Sequence, residues 1–127
     1  MMSAGERKKS RAALVLCLTG ALVLFVWGQK VATSLDGIRG AIFSTVFHDT
    51  TVYAPNYTDA AYLRIRVGET EEDVLKILGE PFEHDSPDGY VARWRYAKSR
   101  SDSHYRMRQI SFKNGRVVSK EHYYLVD

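Results

Sequence analysis

Hydrophobic positions take three successive spacings along the chain. From Ala12 to Gly28 they run together, mostly Ala, Val, Leu and Phe, with no charge among them. At 1.5 Å per residue this run makes a helix of about 25 Å, which is at the short end for a membrane span. Val31, Leu35, Ile38, Ile42 and Val46 then recur at helical spacing, interrupted by Gly37 and Gly40. That segment reads either as a helix lying on a bilayer surface or as a loose tether, and "AIFSTVF" within it could also be a strand. Beyond residue 55 the pattern becomes that of a small folded unit, first with helical and then with alternating periodicity.

Local signals bound the elements of that unit. Thr58 or Asp59 can cap a short helix over Ala60 to Arg66, and Gly68 ends it. Thr70 caps a second helix, with Asp73 placed for a variant capping box. Glu71, Glu72 and Asp73 crowd its first turn, where the helix dipole favours negative charge. Val74, Leu75, Ile77 and Leu78 form its apolar face, Gly79 its C-cap, and Pro81 bars continuation. Three strands follow. In "YVARWRY", Tyr90, Ala92, Trp94 and Tyr96 share one face, and Val91, Arg93 and Arg95 the other. "RMRQISF" places Ile110 and Phe112 together, and Asn114-Gly115 is a strong hairpin turn leading into "RVVSKEHYY".

The expected architecture is α+β: two short helices packed on a three-stranded antiparallel sheet, preceded by an N-terminal transmembrane helix. Val74, Leu75, Ile77 and Leu78 are expected to meet Trp94, Tyr96, Ile110 and Phe112. The expected organisation is a basic cytoplasmic tail over 1–11, a signal-anchor helix over 12–28, a juxtamembrane linker over 29–55 and an extracytoplasmic domain over 56–127.

Charge refines this picture. Arg7, Lys8, Lys9 and Arg11 against Glu6 put the chain's positive balance before the apolar run, which by the positive-inside rule orients residues 1–11 to the cytoplasm. Trp27 stands at the far end as an interfacial anchor would. Three fates suit the segment: a retained signal-anchor, which is the expectation, a cleaved signal peptide, or lipidation at Cys17. From Tyr53 to Asp127 twelve Lys and Arg balance twelve Asp and Glu, so the folded part is not that of a general nucleic-acid binder.

Within the folded part the charges segregate. Residues 69–88 hold eight acids and one base, Lys76, whereas residues 93–120 hold nine bases and one acid, Asp102. Arg93 and Arg95 are expected on the sheet face away from the helices, with Arg106 joining them from the neighbouring strand. Together they form a candidate surface for anionic lipid or an acidic partner. A free sheet edge is a second candidate surface, for strand addition.

Catalytic and metal chemistry find little support. His48, His84, His104 and His122 lack ligand spacing, so no metal site is expected. "EHDSPDG" (83–89) lacks the calcium-loop pattern and reads as a turn. No serine has nucleophile-elbow context, and no glycine-rich phosphate loop follows a strand. A single cysteine excludes an intramolecular disulfide and a four-cysteine zinc site. "NYT" (56–58) is a glycosylation sequon, relevant only in a eukaryotic secretory route. No cofactor is expected.

"LRIRVGETEEDVLKILGEP", "ARWRYAK" and "QISFKNGRVVS" in this order resemble the SmpA/OmlA (BamE-type) domain over about residues 56–123. The resemblance implies a fold of two helices on a three-stranded sheet and an accessory role in outer-membrane β-barrel assembly. Barrel-assembly components would then be partners of a non-catalytic periplasmic scaffold. The same small fold also serves other envelope proteins and secreted inhibitors of β-lactamases. The alternatives are therefore an inhibitor- or sensor-type module that binds a periplasmic protein, and an unrecognised hydrolase.

Overall fold

The structure is a computed structural model that describes all residues except 2, 102 and 127, and the backbone only of residues 30–33. Asp102, the single acid of the basic stretch, and the side chain of Val31 thus lie outside the described residues. Two compact units are present, residues 1–34 and residues 35–127.

The first unit is helix α1, Ala4–Thr33. Over Ala4–Gln29 it is long and apolar enough to cross a membrane, and none of that stretch is buried in protein. Membrane anchors and signal sequences share this property.

The second unit begins inside the segment expected as a linker. Helix α2 spans Gly37–Val46 and strand β1 Thr51–Tyr53. Helix α3 (Asp59–Arg64) starts at Thr58, whose hydroxyl accepts from the Ala61 amide. Helix α4 (Glu71–Leu78) opens with the reciprocal Thr70–Asp73 capping box. Hydrogen bonds from the Thr70 side chain and backbone hold the Asp73 carboxyl below the usual carboxylate range. Gly79 ends the helix at φ 73°, a left-handed conformation suited to glycine.

The sheet is larger than expected. Strands β2 (Glu83–Asp85), β3 (Ala92–Arg95), β5 (Tyr105–Lys113) and β6 (Arg116–Leu125) form a four-stranded antiparallel sheet in the order β2-β3-β5-β6. Strand β4 (Ala97–Ser99) pairs with β1 in a separate two-stranded sheet. The fourth strand comes from Glu83–Asp85, expected as a turn. It carries no apolar alternation and is held instead by ion pairs of Glu83 and Asp85 with Arg95 across the ladder. Strand β3 is shorter than its alternating pattern: Tyr90 lies outside it and exposed, where Asp88 accepts from the Tyr90 and Val91 amides. Asn114 and Gly115, at φ 51° and 71°, form the expected tight turn between β5 and β6.

The core lies between α3, α4 and one face of the four-stranded sheet. Val74 and Leu78 are fully buried with Tyr62, Ile65, Tyr96, Ile110, Phe112 and Val117, and Leu75 and Ile77 pack against them half-buried. Trp94 and Phe112 meet at 4.4 Å between ring centroids. Side chains of this size contribute roughly 1.5–3 kcal/mol each when removed from water. Tyr62 and Tyr96 keep their hydroxyls satisfied inside the core. Tyr62 donates to the Glu121 carbonyl at 2.9 Å, and Tyr96 to the Gly79 carbonyl at 3.0 Å.

Candidate functional site

The strand registers decide which side chains share the face opposite the helices. Three rows cross the sheet there. Asp85, Arg93, Ser111 and Ser119 are successive cross-strand partners, as are Glu83, Arg95, Gln109 and Glu121. Met107 and Tyr123 form a third, shorter row.

The middle row is a hydrogen-bonded ladder spanning all four strands. Arg95 Nη1 donates to Glu83 Oε2 at 2.8 Å and Nη2 to Asp85 Oδ2 at 2.7 Å. Arg95 Nε reaches Gln109 Oε1 at 3.4 Å, and Gln109 Nε2 donates to Glu121 Oε2 at 3.2 Å. The ladder fixes long side chains that would otherwise be mobile, so the face is preorganised. Arg95, Gln109 and Glu121 of the ladder, with Arg93, Val118 and Tyr123 beside them, line a shallow concavity of about 550 Å³. Val118 and Tyr123 expose apolar surface on this polar face.

The structure brings two of the three expected arginines together here. Arg93 and Arg95 lie on this face, and the Arg93 side chain makes no hydrogen bond or short ion pair among the described residues, though its charge acts on Asp88. Arg106 does not join them. Arg95 pairs with Gln109 and Arg93 with Ser111, so the odd-numbered residues of β5 share their face and Arg106 points to the other. There its Nε donates to Asp49 Oδ2 at 2.9 Å. Glu83, Asp85, Asp88 and Glu121 outnumber the two arginines on the concave face.

Arg106 belongs to a second cluster, around Arg108, which alternation alone did not bring out. Arg108 and the Asp36 side chain are 0% and 1% exposed. Arg108 donates to both Asp36 carboxylate oxygens, at 2.8 and 3.0 Å, and through Nε to Asp59 Oδ1 at 3.1 Å. Tyr57 donates to the same Asp59 oxygen at 2.7 Å. Burial alone would lower the Arg108 pKa, but the hydrogen bonds and charges of Asp36 and Asp59 outweigh it and raise it. Burial would likewise raise the Asp49 carboxyl. Hydrogen bonds from the Thr51 hydroxyl and amide and from Arg106 prevail, and hold it below its ordinary value. This cluster is architectural: it ties the start of α2 and the approach to β1 onto β5. Its sequence signal was a strand face carrying Arg106 and Arg108 beside Ile110 and Phe112.

The sheet edges differ. At the start of β6, the Gly68 amide donates to the Val117 carbonyl at 2.8 Å and the Val117 amide to the Glu69 carbonyl at 2.9 Å, so this part of the edge is already occupied. Among the described residues, no group of three or more His, Cys, Asp or Glu is placed to hold a metal ion.

Residues 58–127 match the family model described as beta-lactamase inhibitor (BLIP). No curated protein matches the chain. The family match corrects the resemblance to SmpA/OmlA. The features that carried that resemblance, a capped short helix, an aromatic strand and an Asn-Gly hairpin, describe a shared architecture rather than one family.

Proposed function

Because the chain belongs to the beta-lactamase inhibitor (BLIP) family, we propose that its second unit binds another protein on the concave face of the four-stranded sheet and inhibits that protein by occupying its surface. The family is non-catalytic and protein-binding, and the chain is not an enzyme. One observation carries the choice of surface. The Glu83–Arg95–Gln109–Glu121 ladder satisfies its own polar groups across four strands while Val118 and Tyr123 stay exposed beside it. A partner therefore meets a rigid, hydrogen-bonded polar floor of net acidic balance with apolar anchors beside it. Arg93, next to the ladder and near Asp88, has a side chain with no hydrogen bond among the described residues and is available for a carboxylate on the partner.

The reading extends to location. The uncharged run of α1 with its basic N-terminal flank supports a retained anchor over 12–28, residues 1–11 in the cytoplasm and the binding unit outside it. A protein presented there would act on targets that enter or cross the extracytoplasmic space.

The family's name makes β-lactamases the first partners to test. Full-length chain in detergent would be immobilised and binding of a panel of β-lactamases measured, alongside Tyr123→Ala and Ser119→Arg variants. Binding that falls at least tenfold in both variants, with the thermal midpoint unchanged, supports the surface. Binding unchanged in both, but lost in Leu63→Arg on α3, would move the interface to the helical side.

A further inference from the structure

Helix α2 is packed by one face only. Gly40 and Ala41 are buried, and Phe43 stacks on Tyr124 at 6.0 Å between centroids. On the opposite face Ile38, Ile42 and Val46 are 61%, 44% and 69% exposed. Their i, i+4, i+8 spacing makes one apolar stripe on a helix whose outward side would ordinarily be polar. Arg39 borders the stripe.

We propose that this stripe lies in the headgroup–acyl boundary of a phospholipid bilayer, with the Arg39 guanidinium at the lipid phosphates. The inference rests on the reading of α1 as a retained membrane anchor. Only residues 34–36 separate α1 from α2. Four Cα–Cα steps of extended chain reach at most roughly 14 Å. From Trp27 the helix runs on to Thr33, about 9 Å at 1.5 Å per residue, so α2 starts within roughly 23 Å of the point where the span leaves the hydrocarbon, close enough to fold back onto the interfacial layer. A short helix with an apolar outer face and a basic residue at its border fits that layer. Three aliphatic side chains on a ten-residue helix are a poor match to the roughly 1,200–2,000 Å² of a specific protein interface. Asp36 at the start of α2 is held by Arg108, so α2 is tied to the rest of the folded unit and a bilayer that holds the stripe also holds that unit.

The test uses full-length chain with Cys17→Ala, reconstituted into phosphatidylethanolamine–phosphatidylglycerol vesicles. Single cysteines from Ile38→Cys, Ile42→Cys or Asn114→Cys carry a polarity-sensitive fluorophore, and a lipid nitroxide just below the headgroups acts as quencher. Co-flotation with the vesicles reports the anchor separately. The expected result is several-fold stronger nitroxide quenching and a blue-shifted emission at positions 38 and 42, compared with 114 at the hairpin tip. If the chain floats but positions 38 and 42 are quenched no more than 114, the anchor stands and the proposal for α2 is overturned. Protection of 38 and 42 from aqueous iodide without lipid quenching also overturns it, because protein then covers the stripe. A chain that fails to float removes the anchor reading and this inference together.

Discussion

Arg108 in β5 holds Asp36, 72 residues earlier, by two parallel N–H···O bonds in a site that excludes solvent from both side chains. This pair makes the chain from residue 35 onward part of the folded unit. Its role is positional. A buried ion pair offers little net stability over apolar residues of similar volume, but breaking it leaves a charge stranded in the core.

Asp36→Ala is therefore expected to destabilise the protein by about 3–5 kcal/mol. Arg108→Met should do comparable harm, because Asp36 then loses its buried partner. The double variant Asp36→Leu/Arg108→Met is expected to recover much of the loss, since Asp59 reaches solvent and can rehydrate. Denaturant unfolding of the four proteins in detergent measures the coupling. Additive losses would contradict the account.

The Asp49 carboxyl supplies an acid dependence. Its folded pKa lies below the ordinary 3.8. Its contribution is thus fully present above 3.8 and is lost as pH falls through the lower folded value. Stability of the wild type should decline more steeply below pH 3.8 than that of Asp49→Asn, measured by thermal midpoint against pH.

Gly40→Ala should undock α2. A Cβ at this position would lie 2.2 Å from the Asp36 Cβ, closer than any side-chain adjustment relieves. The expected result is new protease cleavage between α2 and β1 and loss of the Phe43–Tyr124 contact. Ile42→Ala, on the outward face, should leave the cleavage pattern unchanged.

Arg95→Gln tests what holds β2. The strand's two carboxylates both depend on Arg95, yet exposed pairs contribute only about 0–1 kcal/mol to global stability. The variant should therefore lose hydrogen-exchange protection at residues 83–85 while its unfolding midpoint shifts little.

The parts of the fold legible in the sequence are those specified locally. Thr58, Thr70 with Asp73, Gly79 and Asn114-Gly115 set helix ends and a turn within a few residues, and each acts in the structure as its chemistry requires. Strand β2 was hidden because its pairing is ionic, so hydrophobic alternation carries no trace of it. The docking of α2 was hidden because it depends on partners far apart in sequence. Of the candidate surface, Arg93 and Arg95 followed from alternation within one strand. Placing Arg106 required the register between β3 and β5, which no local pattern supplies. Arg108 was within reach of the sequence, since a guanidinium on the Ile110 and Phe112 face demands a buried carboxylate, but nothing local named Asp36.

The central claim is that the concave sheet face binds a protein. Its most direct test places a photo-crosslinking amino acid at Ser119 on that face, or at Glu72 on the outer side of α4, in full-length chain expressed in its own cells. The account predicts a discrete protein adduct from position 119, identified by mass spectrometry, and none from position 72. Adducts from position 72 alone, or the same adducts from both positions, would contradict it.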